Sequence, residues 1–200
     1  MDADQVATLR TLLASTGWLE RVRVFGRALR TSTRTAGGLL VVGTPSSEPW
    51  HLTAHLDEES RLAGIPELMP TLVRWSPPAD APPHLRVGLS RLEAARRGET
   101  LFVVSQETAP VPLLERVNDA RHVGATILAL DSGDRELDAL AHESLAVEQL
   151  VTFDGAQHLV SAAAGDRDSG RSRAAAGPRG KRGLRDRLAR LLDTVSGPSA

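Results

Sequence analysis

Two short polar stretches of the chain hold hydroxyl groups where they could bind an anion. The first, Gly43 to Ser47, follows an apolar run and precedes a predicted helix that begins near Glu48 or Pro49. Because the first turn of a helix leaves backbone amides unpaired, those amides and the hydroxyls of Ser46 and Ser47 could together hold an anion. Capping of the helix by the same serines is the commoner use of this residue type and stays an alternative.

The second polar stretch is Ser105 to Pro110, which follows the apolar run Leu101 to Val104. It contains Glu107, whose carboxylate is the one candidate for a catalytic base in these two stretches. A glutamate in a surface loop is more often simply solvated. The catalytic residue is therefore left unassigned, with Glu107 as its candidate.

Two histidines, His51 and His55, lie four residues apart on the helix that follows the first stretch, so both rings could share one face and bind a metal. The residues between them are Leu-Thr-Ala, without the glutamate that follows the first histidine in zinc proteases. Surface histidines are the favoured interpretation, and the sequence predicts no metal site. Motifs for a serine nucleophile, a phosphate loop or a dinucleotide are absent, so no cofactor is predicted either.

The elements that position these stretches alternate between strand and helix. Almost wholly apolar runs near residues 39, 71, 101, 125 and 145 are typical of strands that are covered on both faces. We therefore predict an α/β fold with a five-stranded parallel sheet and helices on both faces, of the flavodoxin-type doubly wound class. In such sheets ligands bind at the carboxyl ends of the strands, which is where both polar stretches begin.

The chain divides into four predicted parts. Residues 1–36 form an N-terminal helical segment that packs on the domain; within it Asp4 to Thr16 is a helix, whereas Trp18 to Arg30 fits a helix or a strand, with helix favoured. Residues 37–164 form the α/β domain. Residues 165–183 are a disordered linker, and residues 184–196 are a basic amphipathic helix that either docks loosely or binds a protein or an anionic surface.

Composition excludes several classes of function. The chain has no cysteine, which excludes disulfides and thiol catalysis, and no apolar run approaches the length of a membrane span. The net charge of −1 combines −6 for residues 1–164 (15 basic against 21 acidic) with +5 for residues 165–200 (9 basic against 4 acidic), so a nucleic-acid-binding face on the acidic domain is not expected. The N-terminus lacks the features of a secretion signal, and we expect a cytoplasmic protein.

The order and spacing of residues 37–150 resemble the SIS (sugar isomerase) domains of phosphosugar isomerases and sugar-phosphate-sensing regulators. Gly43-Thr44-Pro45-Ser46-Ser47 is similar to the first loop of that family, Gly-x-Gly-Ser-Ser, with Pro45 in place of the second glycine. The second loop, Ser-x-Ser-Gly-x-Thr in the family, reads Ser105-Gln106-Glu107-Thr108-Ala109-Pro110 here. The resemblance implies a homodimer and a ligand site for a sugar phosphate or other small anion, lined by Thr44, Ser46, Ser47, Ser105, Gln106 and Thr108.

The altered second loop changes the functional expectation. A carboxylate at Glu107 would repel a phosphate, by about 1 kcal/mol at 4 Å in water and by more in a drier site. We therefore expect a non-catalytic, SIS-like carbohydrate-derivative-binding, scaffolding or regulatory module. The alternative is a phosphosugar isomerase, which interconverts the aldose and ketose forms of a sugar phosphate, with a rebuilt second phosphate loop.

Overall fold

The computed structural model describes residues 17–147 and 151–166. The strands are β1 (Leu39–Val42), β2 (Pro70–Val73), β3 (Thr100–Ser105), β4 (Thr126–Asp131) and β5 (Glu143–Ala146). The α-helices are α1 (Trp18–Ser32), α2 (Trp50–Ala63), α3 (Ser90–Glu93), α4 (Val111–His122), α5 (Arg135–Leu140) and α6 (Phe153–Gly165). Short 3-10 helices lie at Pro66–Leu68 and Pro83–Leu85.

The strands form one parallel sheet in the order β2-β1-β3-β4-β5. Every residue of β1 and of β3 is buried, as expected for central strands with helices on both faces. This confirms the predicted five-stranded doubly wound α/β fold. The strand order reverses between β1 and β3, so the loops that leave these two strands lie side by side at the topological switch point.

Alternate side chains of each strand enter two separate cores. Leu39 and Val41 of β1 point into a core that α1, α2 and α6 cover. Leu40 and Val42 point to the opposite face, where α3, α4 and α5 pack. The two-residue period of a strand thus divides one apolar run between both layers of helices.

Helix α1 resolves the ambiguity of the segment after Gly17. Its buried residues recur every three or four positions, as a helix requires, and include Trp18, Val22 and Leu29. The Trp18 indole Nε1 donates to the Ala146 carbonyl oxygen at 3.0 Å, which ties the start of α1 to the end of β5. Because the backbones of α1 and α6 approach closely, a Cβ at Gly26 would lie 2.6 Å from the Cβ of Ala163.

The segment before β3 differs from the sequence prediction. The sequence predicts a helix from Ser90 to Arg97, but α3 ends at Glu93. The Glu99 carboxylate accepts hydrogen bonds from the Arg91 guanidinium and from the Arg96 amide, and Gly98 has a φ of +86°. These contacts turn the chain into β3, so the prediction is wrong in its second half.

Two predicted helices and the linker lie outside the described residues. These are the helix at Asp4 to Thr16, most of the linker at 165–183 and the basic helix at 184–196, and they stay predictions together with the domain boundaries. Among the described residues, no helix has the length and apolar character that crossing a bilayer requires.

Candidate functional site

The two polar loops meet at the switch point of the sheet. The hydroxyl of Ser46, in the loop after β1, donates to Glu107 Oε2, in the loop after β3, at 3.2 Å. The structure therefore brings together the two stretches that the sequence singles out. The hydrogen bond between the loops is accepted by Glu107, the residue that departs most from the SIS pattern. The Ser46 hydroxyl therefore already has a partner.

The first loop is closed by its own hydrogen bonds. Thr44 and Ser47 exchange backbone hydrogen bonds of 3.2 Å in both directions, and Thr44 Oγ1 lies 3.0 Å from Ser46 Oγ. A Cβ at Gly43 would lie 2.1 Å from the Ser47 carbonyl oxygen, so this close approach requires glycine. Thr44 is buried, whereas the side chains of Ser46 and Ser47 are exposed.

The capping alternative requires Ser46 or Ser47 to cap helix α2, and neither serine does so. The N-cap residue is Pro49, and no side chain accepts a hydrogen bond from the first turn at that position. Ser46 is instead directed across the loop toward Thr44 and Glu107. Its position beside the second loop is therefore a property of the site and not of the helix end.

The second loop offers few backbone donors to a ligand. Pro110 and Pro112, at the start of α4, have no amide hydrogen, and the Ala109 amide donates to Asp134 Oδ2 at 2.7 Å. The amides of Leu113 and Leu114 donate to the Pro110 carbonyl oxygen. The start of a helix usually offers free backbone amides to an anion. At the start of α4 most of these amides are missing or already paired.

The candidate ligand residues of the second loop differ in exposure. Ser105 is fully buried, and its hydroxyl donates to the Glu107 carbonyl oxygen. Gln106, Glu107 and Thr108 are exposed at the rim. Ser105 therefore shapes the loop, and the three residues after it form the surface that a ligand could contact.

Two aspartates at the end of β4, which lie outside the two polar stretches, complete this edge. Asp131 is buried beside Ser105 in the sheet register, and its Oδ1 accepts from the Gly133 and Asp134 amides. Its Oδ2 is buried and has no hydrogen-bond partner among the described residues. Burial raises the pKa of the Asp131 carboxyl above its ordinary value, although the two backbone hydrogen bonds act in the opposite direction.

The polar run Asp131 to Asp134 holds a signal for these two residues. An aspartate that directly follows a strand lies at the carboxyl edge, where ligands bind in this class of fold. Asp134 also caps α5, where its Oδ1 accepts from the amides of Glu136 and Leu137. Neither aspartate belongs to the two polar stretches that the sequence singles out.

The cation beside the first loop is already paired. Arg74, which follows β2, donates from Nε to Glu48 Oε2 at 2.9 Å, and its guanidinium lies 4.4 Å from the centre of the Trp50 ring. Glu48 also accepts from the Trp75 amide, and the Trp75 indole donates to the Gly43 carbonyl oxygen at 2.8 Å. Arg74 thus fixes the base of the first loop, with its charge balanced by Glu48.

A second group of chemically active side chains lies on the outer face of α2. His51 and His55 are joined there by His158 of α6, with ring centres 4.4 to 4.7 Å apart. Spacing in the sequence brings only His51 and His55 together, because nothing in the sequence shows that α6 packs beside α2. These three imidazoles are the described residues that could hold a metal.

No protein-family model matches this chain, and no curated protein matches it in sequence. Solved structures do match in fold. One is a candidate sugar-binding protein of Salmonella typhimurium LT2, with TM-score 0.56 and 15% identity over 96% of this chain. Another is a candidate phosphosugar isomerase of Silicibacter pomeroyi DSS-3, with TM-score 0.54 and 16% identity over the same share of the chain.

The chain spans about half the length of these two structures, 53% and 54% respectively. The NanR protein of Vibrio vulnificus complexed with ManNAc-6P matches more loosely, with a TM-score of 0.43. At these identities the likeness establishes the fold alone. It is consistent with the SIS-like architecture that the sequence predicts, and the function has to be argued from the site.

Proposed function

We propose that this chain is a non-catalytic, SIS-like module that binds a carbohydrate derivative for a scaffolding or regulatory purpose. The observation that carries the proposal is the 3.2 Å hydrogen bond from Ser46 to Glu107. It puts a carboxylate between the two loops and occupies one of the hydroxyls that a phosphate would need. The proposed ligand-contacting residues are the exposed Ser46, Ser47, Gln106 and Thr108, and the buried Thr44 and Ser105 shape the two loops beneath them.

The balance of donors and acceptors supports a ligand without a phosphate. A phosphate accepts hydrogen bonds through several oxygens and needs amides, hydroxyls or cations around it. The second loop has prolines at two of the positions that would supply amides, and the Ala109 amide is taken by Asp134. Arg74, the cation at the base of the first loop, is paired with Glu48.

The same groups suit a polyhydroxyl ligand that donates hydrogen bonds. Glu107 and the exposed side chains of Gln106 and Thr108 offer acceptors to sugar hydroxyls, and a carboxylate would also attract the ammonium group of an amino sugar. We therefore propose a neutral or amino-bearing carbohydrate derivative as the ligand class.

One observation favours the alternative function, a phosphosugar isomerase with a rebuilt second loop. The pKa of Asp131 is raised by burial, and a carboxyl group with a perturbed pKa at a ligand-binding edge is a recurrent feature of catalytic sites. Asp131 also has a buried oxygen without a partner among the described residues. Glu107, the candidate base, lies on the same edge of the sheet.

Thermal denaturation in the presence of single sugars tests the proposal. Glucosamine should raise the melting temperature of the wild-type protein more than glucosamine 6-phosphate does, because only the latter adds a negative charge beside Glu107. The Glu107→Gln variant, which keeps an acceptor for Ser46 without the charge, should reduce that preference. A larger stabilisation by the phosphorylated sugar in the wild type would support the isomerase alternative instead.

Two further partner predictions stay open to measurement. The homodimer implied by the SIS resemblance is tested by light scattering of the full chain during gel filtration. The protein or anionic-surface partner of residues 184–196 is tested by sedimentation with anionic vesicles, compared with a chain that ends at residue 166.

A further inference from the structure

Three histidines of this chain converge at the packing contact between α2 and α6. His51 and His55 lie one helical turn apart on α2, and His158 lies in the second turn of α6. The ring centres are 4.6 Å apart for His51 and His55, 4.7 Å for His51 and His158, and 4.4 Å for His55 and His158. One nitrogen from each ring can be chosen so that all three lie within 4.8 Å of one another.

The helix packing fixes this arrangement. His158 lies against His51 and His55, while Gly165, two turns further along α6, lies against Glu59 of α2. The two helices therefore run side by side in the same direction. Buried leucines and valine on both helices anchor them to the core beneath the histidines: Leu52, Leu56, Leu159 and Val160. The cluster is thus carried by regular elements and not by mobile loops.

One nitrogen of the cluster lacks the partner that burial demands. His55 Nε2 is inaccessible to solvent and has no hydrogen-bond partner among the described residues. Its other nitrogen, Nδ1, lies 3.9 Å from Glu58 Oε2. A buried polar atom without a partner destabilises a protein, so its presence here calls for a partner that the described residues do not supply.

We propose that His51, His55 and His158 bind a divalent transition-metal ion of the Zn²⁺ class, with a fourth coordination position open to solvent. Imidazole nitrogens are preferred ligands of such ions, and three protein ligands with one open position characterise reactive zinc sites. Tetrahedral coordination with Zn–N bonds of about 2.0 Å places the nitrogens about 3.3 Å apart. The chosen nitrogens lie within 4.8 Å of one another, so binding requires the rings to approach by at most about 1.5 Å.

Exposure and charge agree with this assignment. His51 is exposed, so the open position faces solvent, whereas His55 and His158 are partly buried. Burial, followed by the charge of neighbouring histidines, lowers the pKa of both His55 and His158, against the opposing effects of Glu58 and Asp154. The neutral imidazole is the form that binds a metal. Glu58 Oε2 lies 3.9 Å from His55 Nδ1, on the side of the ring away from Nε2.

The test uses the full chain, freed of metal with a chelator, and ZnCl2 or CoCl2 as the only added ligand. Calorimetry should show one Zn²⁺ per chain, and Co²⁺ should give the visible absorption of a tetrahedral complex. His51→Ala and His158→Ala should each weaken Zn²⁺ binding by about 100-fold or more and abolish the cobalt spectrum. His84→Ala and His122→Ala, which remove exposed histidines outside the cluster, should leave both unchanged.

The His51→Ala variant tests the site even if His158→Ala folds poorly. His51 is exposed, so its replacement removes a ligand without opening the core, and circular dichroism of the metal-free protein checks the fold. Zn²⁺ should also raise the melting temperature of the wild type but not that of His51→Ala. Wild-type binding no tighter than that of a variant without all three histidines, or equal binding by His51→Ala and the two control variants, overturns the proposal.

Discussion

The switch-point loops and the histidine cluster differ in how their polar atoms are satisfied. In the loops, Ser46 is bonded to Glu107, Thr44 to Ser47, and the Ala109 amide to Asp134. In the cluster, three imidazoles face one another and His55 Nε2 has no partner among the described residues. The first region resembles a site whose groups have turned toward one another, and the second resembles a site that awaits a ligand.

This difference teaches that a fold can keep the place of a site while the sequence changes its chemistry. The parallel sheet brings the two loops together through its topology, whatever residues they carry. The second loop contributes a carboxylate from Glu107, and it has few amide donors because of Pro110 and Pro112. The fold supplies the position of the site, whereas the side chains supply its ligand preference.

The largest expected effect tests whether the first loop depends on its close backbone approach. Gly43→Ala should destabilise the protein by about 3 kcal/mol, because the new Cβ would lie 2.1 Å from the Ser47 carbonyl oxygen. The matched control is Gly88→Ala, whose Cβ would meet Pro77 at an ordinary 3.8 Å. Equal free energies of unfolding for the two variants, measured by urea denaturation, would contradict the claim that the first loop depends on the close approach at Gly43.

A second prediction concerns the carboxylate that ties the second loop to α5. Asp134→Ala should lower the free energy of unfolding by about 2 kcal/mol, since it removes both the α5 cap and the acceptor of the Ala109 amide. Thr152→Ala removes only the cap of α6, which accepts from the Gly155 amide, and should cost about 1 kcal/mol. If chemical denaturation finds Thr152→Ala more destabilised than Asp134→Ala, the claim that Asp134 both caps α5 and holds the second loop is contradicted.

A third prediction reverses the change that separates the second loop from the SIS pattern. The combined variant Glu107→Ser, Thr108→Gly and Pro110→Thr should bind fructose 6-phosphate about fivefold more tightly than the wild type. It removes a like charge worth about 1 kcal/mol and restores hydroxyls and an amide. Glu107→Gln, which removes the charge alone, should recover most of the gain. Unchanged affinity in both variants, measured by calorimetry, would show that the loop is not what limits phosphate binding.

The smallest expected effect is the pH dependence of stability that arises from Asp131. Its folded-state pKa is raised above the ordinary value of 3.8, so between those two pKa values the native state holds a proton that the unfolded chain has lost. Stability from this group is therefore complete at low pH and is lost as the pH rises through that window. Asp131→Asn keeps the Oδ1 acceptor and should show a smaller fall in melting temperature between about pH 4 and pH 7. Parallel curves for the two proteins would contradict this.

The fold was largely predictable because the physical causes of its strands are local. Runs such as Leu39 to Val42 are apolar throughout, short and rich in valine, which is typical of a strand covered on both faces. Helix ends were less predictable. Helix α3 stops at Glu93 because Glu99, beyond the predicted helix, accepts from Arg91 and Arg96, and such contacts leave no periodic signal in the sequence.

The candidate site was predictable in position but not in detail. The rule that ligands bind at strand carboxyl ends identifies both polar loops. The Ser46 to Glu107 hydrogen bond and the orphaned oxygen of Asp131 depend on side-chain geometry across three strands. His158 joins His51 and His55 only because α6 packs beside α2, a tertiary contact that no spacing within one helix predicts.

The central claim is that the switch-point loops are bonded to each other and do not form a phosphate site. It is tested most directly by calorimetric titration of the wild-type protein with fructose 6-phosphate and glucosamine 6-phosphate, alongside an assay of aldose-ketose interconversion. We predict a Kd above about 1 mM for both sugar phosphates and no turnover. Micromolar binding of either compound, or measurable isomerisation, would contradict the account and establish the isomerase alternative.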